Sequence, residues 1–119
     1  MNFQRRFQVW LYSVSHAQLL LRSNKSNEVP TRIDVLFKKV VSINLPTMFD
    51  GLSITEATSG EAQSLNAQVG SQSAHGLKVF LLRGTNFTGH VIAGAVFVHE
   101  DEGSHYDESF FQKSFMVRV

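Results

Sequence analysis

With 119 residues, 43% of them hydrophobic and ten Phe among them, the chain has material for one domain with a two-layer core and is too apolar to be disordered throughout. Its formal net charge of +1 excludes a whole-molecule field able to steer nucleic acid or an anionic membrane. The absence of cysteine excludes disulfides, thiolate metal sites and a cysteine nucleophile, and no apolar run approaches the roughly 18 to 20 residues that cross a bilayer.

The small net charge hides an asymmetry. Residues 1–50 carry seven basic and three acidic side chains, whereas residues 51–119 carry four basic and seven acidic ones, and five of those acids fall at positions 100–108.

The first element is a strand. Apolar side chains recur every second residue from Phe7, with Phe7, Val9 and Leu11 directed to one side and Trp10, Tyr12 and Val14 to the other, so this strand is expected to be covered on both faces. Arg5, Arg6, the apolar stretch at 7–14 and Ser15-His16-Ala17 imitate a short signal peptide. Gln8 interrupts that stretch and strand alternation explains it more simply, so a cytoplasmic location is expected, with the sequons at Asn24 and Asn86 as chance matches. A turn near Ser15 and His16 leads to a second strand carrying Leu19, Leu20 and Leu21, closing a hairpin.

After a polar loop ending at Pro30, residues 31–37 alternate Ile33, Val35 and Phe37 with Arg32, Asp34 and Leu36, the pattern of a half-buried strand. Lys38 and Lys39 mark a turn or bulge before extended structure resumes at 40–45, and Pro46 ends it. Asp50-Gly51 tolerates the positive φ of a tight type I′ turn and predicts a hairpin there. Residues 57–76 are the place for a helix, against the alternative of a long loop. Thr58 and Glu61 have capping-box spacing, Ala62, Leu65 and Val69 form a thin stripe, and Gly70 supplies an exit. Strands are then predicted at 77–83, at 90–99 with a bulge or close backbone contact at Gly94, and at 109–119.

The fold expected from these elements is all-β with at most one short helix: an antiparallel β-sandwich of about seven or eight strands, with a β-barrel as the close alternative.

The chemistry-bearing residues concentrate in one segment, His99 to Glu108, read as a charged loop between the last two strands. Its carboxylates could take a hard cation and its histidines a transition metal, but neither EF-hand order nor a His-x-His or His-Glu-x-x-His ligand pair is present. No metal or other cofactor is therefore expected. There is no Gly-x-Ser-x-Gly elbow and no phosphate-binding glycine loop, and His16, His75 and His90 are expected at the surface. Trp10 and its aromatic neighbours beside Arg5 and Arg6 suggest a single-strand nucleic-acid platform, yet their alternation reads better as core.

These readings lean away from an enzyme and favour a small protein-interaction module, partner-binding or inhibitory, that could also self-associate as a homodimer. Its candidate contact residues are Glu100, Asp101, Glu102, His105, Tyr106, Asp107 and Glu108. Two alternatives remain beside it: a ligand or metal site or enzyme pocket near residues 99–108, involving His99 and His105, and a nucleic-acid-binding barrel.

Overall fold

The computed structural model describes residues 1–69 and 76–111, with side chains except at 66–69. Eight strands and one helix follow in the order β1 (Asn2–Ser13), β2 (Gln18–Ser23), β3 (Arg32–Lys38), β4 (Ser42–Asn44), β5 (Met48–Glu56), α1 (Ser59–Val69), β6 (Lys78–Arg83), β7 (Thr88–Ala93) and β8 (Ala95–Asp101). All pairings are antiparallel and run β4-β7-β6-β5-β1-β2-β3-β8. The ladder has two ends, β4 and β8, and is not closed into a barrel.

Two strands turn a corner and fold this ladder into facing halves. β3 passes into β4 through Lys39, whose φ is +57°, while β7 passes into β8 through Gly94. Hydrogen bonds from Gly94 N–H to the Lys38 carbonyl (2.8 Å) and from Val41 N–H to the Ile92 carbonyl (2.9 Å) carry the pairing around the bend. A Cβ at position 94 would lie 3.1 Å from that of Lys39, so a small residue suits the crossing. Bends of this kind make the corners of sandwich-like folds. The break foreseen at Lys38-Lys39 and the close contact foreseen at Gly94 are one feature seen from two strands.

The inner faces of the halves form the main core. Phe7, Leu21, Val35 and Phe37 come from β1 to β3, and Leu52, Ile54, Phe80, Leu82 and Val91 come from β5 to β7; each of these nine is at most 6% exposed. Phe37 meets Phe80 edge-on at 5.6 Å. Each such side chain contributes about 1.5–3 kcal/mol on burial, so this layer dominates the stability. A second, smaller core of Leu20, Leu36 and Phe111, joined by Trp10 and Leu11, lies on the outer face of β1-β2-β3. A register shift between Val9 and Leu11 brings the adjacent Trp10 and Leu11 into this same cluster.

Three expectations change. Asp50-Gly51 makes no hairpin: both residues lie inside β5, where Gly51 has φ +78° opposite a register shift in β1, and the β6–β7 turn docks on the Asp50 carbonyl through Thr85 N–H. The strand expected from 109 is contradicted where it is described, since Phe110 and Phe111 are helical; its remainder lies outside the described residues. Arg32 and Asp34 are not on a half-solvated face, because the whole run from Arg32 to Phe37 is buried. The choice between helix and loop at 57–76 resolves as α1, with Thr58 N–H bonded to Glu61 Oε1 at 2.9 Å and Glu61 N–H to Thr58 Oγ1 at 3.3 Å. The exit assigned to Gly70 lies outside the described residues. No helix among the described residues is long and apolar enough to cross a membrane.

Candidate functional site

The acidic segment is not a loop standing in solvent. Glu100 and Asp101 belong to β8, and residues 102–111 turn back across the outer face of β2-β3-β8 as a strap. Register explains what holds it. Arg22 lies directly across from Asp34, and Arg32 directly across from Asp101, so two opposite-charge pairs face outward side by side on neighbouring strands.

Arg22 and Asp34 are each 1% exposed and joined by two hydrogen bonds of 2.7 and 3.0 Å. The Arg22 guanidinium also sits 4.8 Å over the Trp10 ring and donates to the His105 carbonyl at 2.8 Å. Arg32 is 2% exposed, donates twice to Asp101, and reaches the carbonyls of Ser104, Asp107 and Glu108 at 2.9, 2.8 and 3.3 Å. A buried guanidinium is tolerable only when its donors are met, and these carbonyls meet them. The strap's backbone thus completes the solvation of two buried cations, which in turn fix its path. Gly103 belongs to this arrangement, because a Cβ there would fall 2.6 Å from Arg32 Cζ.

The side chains of the candidate residues divide accordingly. Glu100 accepts from Thr31 and lies 3.9 Å from Arg5. Asp101 binds Arg32 and Gly103 N–H; burial alone would raise its carboxyl, but these hydrogen bonds outweigh burial and hold it below the usual carboxylate range. Asp107 accepts from Ser104 N–H at 2.8 Å, closing the strap's turn. Glu102 is exposed, and its carbonyl accepts from Lys25 Nζ at 2.9 Å. Tyr106 is 89% exposed, its ring 5.7 Å from Trp10, with His105 beside it.

The two histidines do not share a pocket. His99, its ring stacked on Phe110 at 4.1 Å, lies with Asp101, Asp107 and Glu108 in a cleft of about 410 Å³. His105 belongs to a different cleft of about 300 Å³, with Arg6, Lys25 and Met48. Among the described residues no three His, Asp or Glu side chains are gathered to hold a metal ion.

Sequence reasoning missed Arg22, Arg32 and Asp34 as the parts that organise this face. The available signal was their position next to the apolar runs of β2 and β3, where a charge demands a partner. It also misplaced His90. This residue is 5% exposed, not superficial, and lines a groove of about 610 Å³ between α1 and the outer face of β4, β6 and β7. His75 lies outside the described residues. His16 holds Ser15 Oγ at 2.8 Å in the β1–β2 turn.

No protein-family model, no curated protein and no solved structure matches this chain.

Proposed function

We propose that the protein is a non-enzymatic interaction module of the cytoplasm, and that the strap is the surface it presents. The observation that carries this reading is the division of labour in the strap: backbone carbonyls bound to two buried arginines, with Glu102, His105 and Tyr106 exposed. A surface held in one conformation before binding loses little entropy on association, and an exposed tyrosine backed by an aromatic ring is a common energetic anchor. The absence of cysteine agrees with a reducing compartment.

The first partner is a second copy of the chain. Lys25 bonds the Glu102 carbonyl within one chain, so opposite charges adjoin on this surface, and a twofold axis placed here would let the Lys25 of each copy pair with the Glu102 of the other. Glu102→Lys should weaken the dimer, and adding Lys25→Glu should restore it, as read by size-exclusion chromatography with light scattering at low salt. A dimer indifferent to both changes places the interface elsewhere. Asp101 and Asp107 are unsuitable for this test, since both support the strap itself.

A further inference from the structure

The groove beneath α1 lies on the other half of the sheet and has its own chemistry. Among the described residues, its mouth holds one pair of opposite charges, Arg83 and Glu61, 3.9 Å apart and about half exposed at 52% and 44%. Its floor holds His90, whose Nε2 is shut off from water and has no hydrogen-bond partner. An unpaired buried nitrogen is costly, and native structures rarely keep one without a use. Burial also lowers the His90 pKa, which leaves a neutral ring able to donate from one nitrogen and accept at the other.

Several ligand classes fit poorly. One cation beside a carboxylate gives the mouth no net charge, which argues against phosphates. Among the described residues no Phe, Tyr or Trp lines the groove for a sugar to stack on, and one imidazole with one carboxylate is too few ligands for a metal site. What suits a loose pair of opposite charges is a molecule carrying both charges itself. Arg83 lies two residues from Leu81, the cross-strand partner of His90, so the backbone positions of mouth and floor are about 7 Å apart along the strand. A side-chain amide, which both donates and accepts, suits the neutral imidazole at the floor.

We propose that this groove binds a free amino acid as its zwitterion, the carboxylate on Arg83, the ammonium on Glu61 and a polar side-chain head on His90. Leu65, half-buried on α1, also lines this groove, and the proposal requires that Nε2, shut off from water, be uncovered on binding.

Calorimetric titration of the whole chain with each proteinogenic amino acid at millimolar concentration tests this. The expected result is saturable heat from glutamine or asparagine, weaker by roughly tenfold to a hundredfold in Arg83→Gln and in His90→Leu, and abolished by N-acetylation of the ligand. Arg83 is half exposed, so its variant reports on binding independently of any effect of His90→Leu on the fold. No heat from any amino acid would overturn the proposal. Equal affinity for the N-acetylated ligand, or for Arg83→Gln, would overturn it as well.

Discussion

Arg22 and Arg32 show how one side chain can decide the fate of ten others. Each sits in a buried strand, and each is stable there only because a carboxylate across the ladder and backbone carbonyl oxygen from the strap accept its hydrogen bonds. Removing Arg22 alone strands the Asp34 carboxylate at 1% exposure. Arg22→Met should therefore cost about 3–5 kcal/mol in urea unfolding, a large share of a typical total of about 5–15 kcal/mol. The double variant Arg22→Met/Asp34→Leu should recover most of that loss, because no charge is then left unpaired. His90 gives the opposite sign: replacing an unpaired buried imidazole by Leu should raise stability by about 1–3 kcal/mol in the same assay. At this scale the sequence was misleading for a definite reason. Alternation correctly put Arg32, Asp34 and Leu36 on one face of β3, but whether that face meets water depends on what crosses it. The strap that covers it arrives some 70 residues later.

Among the elements, the strap is the one most open to perturbation, since it is held by side chains and not by a ladder. Gly103→Ala sets a methyl against the Arg32 guanidinium and should release residues 102–108, seen as faster amide hydrogen exchange there with β2 and β3 still protected. Acid should act at the same place. The Asp101 carboxyl is held below its unfolded value of about 3.9, so its contribution is complete above that pH and is lost as pH falls through the folded value. Fluorescence of Trp10, the sole tryptophan, packed under Tyr106, should change below about pH 4, ahead of global unfolding. Loss of the signal only together with the far-ultraviolet circular dichroism would show that the strap has no transition of its own. The elements legible in the sequence were those with local causes: the β1–β2 hairpin by its period of two, and α1 by its capping box. Asp50-Gly51 failed because its glycine serves a bulge opposite β1 instead of a turn, a distinction made by a strand more than 40 residues away. The acidic run was legible as a concentration of charge. Its role as a buried-arginine cover was not, because the carbonyls that do this leave no mark in the residue types.

For the whole molecule, the folded ladder puts two different surfaces on opposite halves: the strap over β2-β3-β8, and the α1 groove over β4, β6 and β7. The corner strands join them, since β3 beneath the strap continues into β4 beside the groove, and β7 into β8. The ladder's ends are both poor templates for further pairing. β4 is three residues long and is followed by Pro46, and β8 ends in Glu100 and Asp101. This favours the strap over strand addition as the proposed route of association. Sedimentation velocity over a concentration series, comparing the natural chain with Tyr106→Ala, tests that route most directly. The natural chain should form a dimer that dissociates in the variant at unchanged melting temperature. A natural chain that stays monomeric throughout, or a variant that stays dimeric, would contradict the proposal.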